Sequence, residues 1–316
     1  EIHSGDWSSD VCSSDLTVAA ILEEHDDTHV FLGSRSAGRG EEAKQALVEE
    51  QPELDARLDV VQLDVSDDAS VAAAADTVAE GLDGAPLYGL VNNAGINDHA
   101  HDIRTVLDIN VRGPKRVCDA FLPLMEGAED GRVVNVSSAS GPSFVASCTP
   151  ELQARLTDSD ASWEQIRTLM QECVEAADEA GSFSAADIGN GRSYGLSKAL
   201  LNTYTMLLAR EHPELTVNAC TPGFIETGMT RPMAQRRGST PEEMGMKPPE
   251  EGTTAQIFLL FGEPDGTGWY FGSDAKRSPL DRYRSPGDPE YTGSGTRSRE
   301  RARCAGLRYS RCPFRR

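Results

Sequence analysis

The chain has 316 residues, of which 38% are hydrophobic, and it carries a formal net charge of −21. A chain of this length and composition can bury the core of one large α/β domain. The acidic excess argues against nucleic acid as a partner, because binding to phosphates requires clustered Lys and Arg.

The sequence contains no run of about 20 apolar residues that could span a bilayer, so we expect no membrane partner. Its seven cysteines include no Cys-x-x-Cys pair and no nearby His at the spacing of metal ligands. We therefore expect neither a metal site nor a disulfide framework, and a reducing cytoplasm is the expected location.

Short β-branched runs alternate with Ala-rich amphipathic runs along the chain. This alternation is typical of a parallel sheet with helices on both faces, so we predict a Rossmann-like, doubly wound, three-layer α/β/α fold. The predicted strands are 28–33, 58–63, 87–91, 132–136, 215–219 and 268–271, and the predicted helices include 16–22, 102–125, 162–177 and 194–211.

A single domain is predicted over residues 16–280. Residues 141–191 interrupt the alternation as an insert, whose helix is predicted to begin at Ser162 with Glu164 and Gln165 in its first turn. Residues 228–252 lack a clean period and are predicted to form a mobile loop on the substrate side.

Both ends of the chain differ in composition from the predicted domain. Residues 1–15 are rich in Ser and Asp and resemble translated sequencing-adapter read-through, so we interpret them as non-native. Residues 281–316 end in an Arg-rich stretch without an apolar period, and we predict a disordered or non-native tail.

Tyr194 and Lys198 are candidate catalytic residues because they lie one helical turn apart on the same face. An ammonium close to the phenol would lower the pKa of the tyrosine toward a range useful for proton transfer at neutral pH. The pair alone is weak evidence, since Tyr and Lys occur four residues apart on many helices.

Two further polar residues are predicted to face the same place. Ser137 and Ser138 follow the predicted strand 132–136, at the sheet edge where ligands of open α/β sheets bind. Of these two, we expect Ser138 to donate a hydrogen bond to a substrate oxygen. Asn110 is a poor helix former in the middle of a predicted helix, which indicates a polar role.

Small residues follow two other predicted strands. Ala94 and Gly95 come after Asn92 and would let a ligand approach the backbone closely, although an ordinary strand-to-helix turn has the same pattern. Pro222 and Gly223 are expected to turn the chain beneath a planar ring of a bound ligand.

Together, Asn110, Ser138 and the Tyr194-x-x-x-Lys198 pair resemble the short-chain dehydrogenase/reductase family, with the likeness extending over residues 16–274. The resemblance implies that Tyr194 is the general acid in carbonyl reduction and that Lys198 binds the nicotinamide ribose and acidifies Tyr194. It also implies that Ser138 polarises the carbonyl group and that Asn110 supports a proton-relay water.

Tyr194 follows Ser138 by 56 positions, and the long insert between them resembles that of the monomeric, NADPH-dependent carbonyl reductases of that family. This likeness implies a monomer that acts on a small-molecule aldehyde, ketone or quinone. A loop inserted for other reasons is the alternative.

The cofactor is predicted from Arg35, which follows a strand where NAD-binding proteins usually carry an acidic residue. The Arg guanidinium fits a 2′-phosphate and favours NADP(H), although a plain surface Arg is the alternative. By the resemblance, Asp64 hydrogen-bonds the adenine ring. The candidate cofactor contacts are Arg35, Asp64, Asn92, Ala94, Gly95, Tyr194, Lys198, Pro222, Gly223 and Thr227.

One part of the family pattern is missing from the sequence. The family opens with a strand and a Thr-Gly-x-x-x-Gly-x-Gly turn that holds the cofactor pyrophosphate, and no such turn precedes the predicted helix 16–22. We therefore expect the sheet to lack a central strand and NADP(H) to bind poorly. A non-catalytic Rossmann-like binding protein or inactive fragment, and an alcohol dehydrogenase working in the oxidative direction, remain alternatives.

Overall fold

The computed structural model describes residues 13–228 and 230–293, and within them the predicted strands are present with shifts of one or two residues. A short antiparallel strand at the edge was not predicted, because two residues carry no alternation to detect. The strands are β1 (Val30–Ser34), β2 (Leu58–Gln62), β3 (Gly89–Asn92), β4 (Arg132–Val136), β5 (Thr216–Cys220), β6 (Tyr270–Phe271) and β7 (Arg277–Ser278).

Side-chain caps begin several of the helices. Asp67 accepts hydrogen bonds from the backbone N–H groups of Ala69 and Ser70, which have no acceptor within their helix. The α-helices are α1 (Ser13–Glu24), α2 (Ala37–Glu50), α3 (Asp68–Leu82), α4 (Ile103–Leu107), α5 (Gly113–Phe121), α6 (Ser140–Ala146), α7 (Pro150–Leu156), α8 (Trp163–Ala180), α9 (Ser193–Glu211), α10 (Arg231–Arg237) and α11 (Thr254–Phe261).

Successive residues of β4 pack against opposite helix layers. Val134 packs in a cluster with Ile21 of α1 and Leu259 of α11. Its neighbour Val133 points to the other face and packs in a cluster with Leu200 of α9. The predicted three-layer α/β/α fold is therefore confirmed.

The sheet is divided between β1 and β3. The structure gives one parallel pair, β1 with β2, and a separate group in the order β3-β4-β5-β6-β7. The helix layers nevertheless cover both groups: Val30 of β1 and Val91 of β3 pack against one cluster, and Phe31 and Leu90 pack against the cluster on the opposite face. Within the described residues no strand joins β1 to β3.

The predicted helix 102–125 is divided into four pieces. A π-helical turn over Asp108–Arg112 separates α4 from α5, and the 3-10 turn Leu122–Met125 ends the run. Asn110 lies in the π-helical turn and is fully buried. Single π-helical turns occur frequently at functional sites, where they redirect one side chain.

The insert contains α6, α7 and α8. As predicted, α8 begins at Ser162, whose hydroxyl accepts from the Gln165 backbone while the Gln165 side chain accepts from the Ser162 backbone. The helix continues to Ala180, three residues beyond the predicted end, and Gly181 terminates it in the left-handed conformation.

The prediction that residues 228–252 form a loop without regular structure was wrong in part. Helix α10 lies within it, with Pro232 in its first turn and Gly238 ending it at φ +62°. Pro at a helix start and Gly at its end are favourable, but seven residues are too few to show a helical period.

Contacts extend past residue 280, the predicted end of the domain. Arg284 pairs with Asp274, and the Arg277 guanidinium lies 5.5 Å from the ring centre of Tyr291. The interpretation of residues 1–15 falls mainly outside the described residues, since only the start of α1 is described, and residues 294–316 of the predicted tail also lie outside them. None of the helices in the described parts of the chain is both long and apolar enough to cross a membrane.

Candidate active site

Tyr194, Ser138 and Lys198 come together where α9 passes the end of β4. The Ser138 hydroxyl lies close enough to the Tyr194 phenol to act against the rise of its pKa on burial. The Lys198 ammonium lies 5.7 Å from the centre of the Tyr194 ring. An exchangeable proton, a second hydroxyl and a buried cation therefore share one location.

The expectation that the pKa of Tyr194 is lowered was wrong for this structure, because burial outweighs any effect of the nearby Lys198 ammonium. Burial raises the pKa of the Tyr194 phenol, and the Asp98 carboxylate raises it further, while the nearby Ser138 hydroxyl opposes them. Proximity to a cation was a correct sequence inference, but sequence spacing does not report how completely the phenol is removed from water. The phenol is therefore neutral at pH 7, which is the form that donates a proton.

Lys198 is buried, and its Nζ atom donates a 2.8 Å hydrogen bond to the carbonyl oxygen of Val136. This oxygen is its one hydrogen-bond acceptor within residues 13–228 and 230–293. Burial lowers the pKa of Lys198 to about 8, because the ammonium has lost its hydration. Two of its three N–H donors remain available to an incoming hydroxyl-bearing ligand.

The two hydroxyls after β4 have different contacts. Ser137 is buried, and its hydroxyl donates to the backbone oxygen of Lys198 over 3.1 Å. Ser138 is partly exposed and is close enough to Tyr194 to influence the pKa of its phenol. This geometry agrees with the choice of Ser138 over Ser137 as the residue that meets a substrate.

The Asn110 side chain is fully engaged with protein groups. Its Nδ2 atom donates to the Ile96 carbonyl oxygen (2.9 Å) and to the Ser197 hydroxyl (3.0 Å), and its Oδ1 atom accepts from the Ile96 N–H (2.9 Å). These bonds tie the segment after β3 to α9. A role for Asn110 with a proton-relay water stays a prediction.

The residues after β3 divide between structural and accessible positions. Asn92 is buried, and its amide donates to Asn135 Oδ1 at 2.8 Å, which places it inside the sheet rather than at the ligand edge. Ala94 is exposed. A Cβ atom on Gly95 would lie 3.3 Å from Asn110 Oδ1 and 3.5 Å from Lys198 Nζ, so glycine keeps this approach to the ammonium open.

Arg35 and Asp64 mark a second location, at the ends of β1 and β2. Arg35 is exposed, and its charge is close enough to help lower the pKa of Asp64. The main cause of that lowering is the pair of hydrogen bonds that Ser66 donates to the carboxylate through its hydroxyl and its N–H. The guanidinium is accessible to a phosphate, and contact of Asp64 with adenine stays a prediction.

The remaining cofactor candidates follow β5. Gly223 has φ +96°, and its N–H donates to the Thr221 hydroxyl over 3.1 Å, so Pro222-Gly223 does turn the chain there. The backbone N–H of Thr227 donates a 2.9 Å hydrogen bond to the Thr230 hydroxyl. A contact of Thr227 with the cofactor stays a prediction.

Comparison with known proteins connects this geometry to a family. The model of the short chain dehydrogenase family matches residues 18–149. (+)-Neomenthol dehydrogenase of Arabidopsis thaliana is 32% identical over 260 residues, covering 72% of this chain and 86% of that protein. The chain belongs to the short-chain dehydrogenase/reductase family.

Other members of the short-chain dehydrogenase/reductase family are similar over comparable lengths. Carbonyl reductase (NADPH) 1 of Homo sapiens is 31% identical over 252 residues, covering 76% of this chain and 83% of that protein. The solved structure of menthone neomenthol reductase from Mentha piperita has the same fold, with a TM-score of 0.66 at 22% identity and coverage of 84% of this chain and 96% of that one. The chain is thus an oxidoreductase of this family.

In this short-chain dehydrogenase/reductase, sequence reasoning missed one residue beside the candidate site. Asp98 accepts a 3.3 Å hydrogen bond from the backbone N–H of Tyr194 and forms an ion pair with Arg192. An aspartate in a segment without periodicity gives no signal of a contact 96 positions away along the chain.

Proposed function

We propose that the chain catalyses the NADPH-dependent reduction of an aldehyde, ketone or quinone to the alcohol, with Tyr194 as the general acid. The observation that carries the proposal is the buried Lys198 ammonium 5.7 Å from the ring centre of Tyr194, with Ser138 close to the phenol. The names of the two relatives, a neomenthol dehydrogenase and an NADPH-dependent carbonyl reductase, support the same reaction class.

The described residues fit the two ends of NADP(H). At one end, Lys198 has spare N–H donors beside Gly95, which suits the hydroxyls of a nicotinamide ribose. At the other end, the exposed Arg35 suits a 2′-phosphate, with Arg39 nearby on α2 as a helper. The described residues include no Gly-rich turn for the pyrophosphate between these ends.

The reaction needs a proton donor placed at the carbonyl oxygen. When bound, NADPH supplies a hydride to the carbonyl carbon. Ser138 and Tyr194 both reach the oxygen, and hydroxyl donors aimed at the developing negative charge lower the barrier. Tyr194 then transfers its phenol proton to that oxygen, and the nearby Lys198 ammonium stabilises the phenolate that remains.

The second candidate is a non-catalytic, Rossmann-like binding protein. The divided sheet favours it, because the position between β1 and β3 is the place from which the family's phosphate-binding turn would extend. Retention of Tyr194, Ser138 and Lys198 in one contact favours the reductase, since a binding protein has no need for a buried ammonium beside a phenol.

We further propose that the protein is a cytoplasmic monomer. The insert helix α8 lays its apolar face, including Leu169 and Val174, on the cluster that contains Leu107 of α4 and Leu208 of α9. This covers a face that two copies could otherwise use for association, as the resemblance to the monomeric carbonyl reductases implies. Sedimentation at micromolar concentration tests this proposal, and a stable dimer would contradict it.

The loss of NADPH absorbance in the presence of a panel of aldehydes, ketones and quinones tests the proposed reaction. Turnover by the native chain that is abolished in Tyr194→Phe supports the reductase. Binding of NADPH by a folded chain that reduces none of the panel would favour the binding protein instead.

A further inference from the structure

We propose that Asp98 is a positioning residue for Tyr194, because its carboxylate pairs with Arg192 and accepts a hydrogen bond from the Tyr194 N–H, which fixes the first turn of α9. The inference deepens the function proposed above and depends on Tyr194 being the proton donor. It assigns a role to a segment that the family motifs do not include.

Asp98 makes three hydrogen bonds at the start of α9. Its Oδ1 atom accepts from Arg192 Nη2 (2.7 Å) and its Oδ2 atom from Arg192 Nε (2.9 Å), so the pair is bidentate. Oδ2 also accepts from the Tyr194 N–H (3.3 Å). The Asp98 side chain is 9% exposed and that of Arg192 is 51% exposed. A bidentate pair with one buried partner has a fixed geometry, unlike an ion pair in open solvent.

The first N–H groups of α9 need an acceptor from outside the helix. Arg192 occupies the N-cap position, and no side chain of its own caps the helix. Asp98 replaces that cap from the segment after β3, and a carboxylate at a helix N-terminus is also favoured by the helix dipole. The position of the Tyr194 backbone therefore depends on Asp98.

A sharply bent stretch at the end of the insert places Arg192 next to Asp98. Asp187, Gly189 and Gly191 have φ values of 54°, 55° and 71°, in the left-handed region. A Cβ atom on Gly191 would lie 3.2 Å from the Ser184 Cα atom, so the bend is closely packed. The ion pair joins this stretch to the segment that carries Gly95.

The charges around Tyr194 come from several elements. Lys198 faces it from α9, Asp98 from the segment after β3, and the neutral Tyr270 from β6. Asp98 is itself faced by Arg192 and by His99. Burial acts to raise the pKa of Asp98, but the hydrogen bonds from Arg192 and Tyr194 outweigh burial and hold that pKa below its ordinary value, so Asp98 is ionised at neutral pH.

Substitution of the two partners should move the titration of Tyr194 in different directions. Asp98→Asn removes the negative charge beside the phenol, so Tyr194 should lose its proton at lower pH. Arg192→Gln keeps a donor for Asp98 but removes the compensating positive charge, so Tyr194 should titrate at the wild-type pH or higher. A merely structural role would shift both variants in the same direction, because both loosen the same helix end.

The titration is measured on the full chain labelled with 3-fluorotyrosine, by fluorine NMR, with the Tyr194 resonance assigned by its loss in Tyr194→Phe. Asp178→Asn is the matched control, because Asp178 lines the same cleft of about 570 Å³ as Asp98 but pairs with Arg104. A lower midpoint in Asp98→Asn than in wild type and Asp178→Asn supports the proposal. Equal midpoints in Asp98→Asn and Asp178→Asn, or a parallel fall in Arg192→Gln, would overturn it.

Carbonyl reduction provides a second readout. We expect kcat of Asp98→Asn to fall on the order of tenfold to a hundredfold, because small displacements of a reacting group are costly, with KM for NADPH little changed. The basic limb of its pH profile should move to lower pH with the phenol titration. If the native chain reduces no carbonyl compound, the proposed function fails, and the fluorine titration still decides whether Asp98 controls Tyr194.

Discussion

Lys198 donates its hydrogen bond to the main-chain oxygen of Val136, the last residue of β4, over 2.8 Å. One neutral acceptor replaces only a part of the hydration that an ammonium loses on burial, so the pKa of Lys198 falls to about 8. The side chain therefore reduces the stability of the folded state at neutral pH. Its position is explained by function at the Tyr194 phenol rather than by packing.

Lys198→Met should make the protein more stable at pH 7 and abolish carbonyl reduction. Below pH 8 Lys198 is protonated in both the folded and the unfolded wild-type protein, and burial of its ammonium destabilises the folded state. Between about 8 and the ordinary value of 10.5 the unfolded state holds more protons, so the stability of wild type rises with pH. The advantage of the variant, on the order of 1–3 kcal/mol at pH 7, should shrink across this window.

Denaturant unfolding at pH 7 and pH 10 measures this difference, with Lys247→Met as the control. Lys247 is half exposed and pairs with Glu251, so its replacement should change the free energy of unfolding by less than about 0.5 kcal/mol at either pH. A Lys198→Met protein that is less stable than wild type at pH 7 would contradict the account of a costly buried charge.

Tyr194→Phe should lower kcat by about 10² to 10⁴-fold, because it removes the proton donor while keeping the ring. Tyr204→Phe is the matched control on the same helix, since Tyr204 is buried against Trp163 and belongs to the core. We expect Tyr204→Phe to retain turnover. Steady-state NADPH oxidation compares the two variants, and equal losses in both would indicate damage to α9 rather than to chemistry.

The sequence predicts the strands of the sheet and the meeting of Ser138, Tyr194 and Lys198 well. β4 contains three valines in five buried positions, so its β-branched character is recognisable, and Ser138 follows it at the predictable edge of a parallel sheet. Tyr194 and Lys198 share a helix, so their spacing alone places them on one face. These features depend on local order along the chain.

The features that sequence reasoning missed depend on distant contacts or on burial. Asp98 meets Tyr194 across 96 positions, and no local pattern records that pairing. The poor helix former Asn110 signalled a polar role, but no sequence pattern distinguishes the π-helical turn that contains it from a continuous α-helix. The direction of the Tyr194 pKa follows from the loss of water around the phenol, which only the packed structure determines.

Arg35→Asp should weaken NADPH binding by about tenfold to a hundredfold, because a carboxylate repels the 2′-phosphate that a guanidinium would bind. Affinity for NADH should be unchanged or higher, since an acid at this place accepts from a ribose hydroxyl. Arg167→Asp, on the exposed part of α8, is the control for the change in net charge. Fluorescence titration with both cofactors measures the ratio, and an unchanged NADPH preference would identify Arg35 as a plain surface residue.

We expect that a strand added between β1 and β3 would stabilise the protein and improve NADPH binding. Replacement of residues 1–12 by an apolar five-residue strand and a Gly-rich turn should let the new strand pair with both exposed edges under the existing helix layers. Stability should rise because the added strand buries apolar side chains on both faces. NADPH affinity should rise at least about tenfold, because the turn adds backbone N–H donors for the pyrophosphate.

Two controls separate these effects. A Gly/Ser extension of equal length should change neither the free energy of unfolding nor NADPH affinity, because it has no apolar side chains to bury. The same strand with Val in place of the turn glycines should stabilise the protein without improving NADPH binding, because side chains would block the approach of phosphate to the backbone. If the native chain binds NADPH as tightly as the strand-extended form, the prediction is contradicted, because the missing strand and turn between β1 and β3 would not limit cofactor binding.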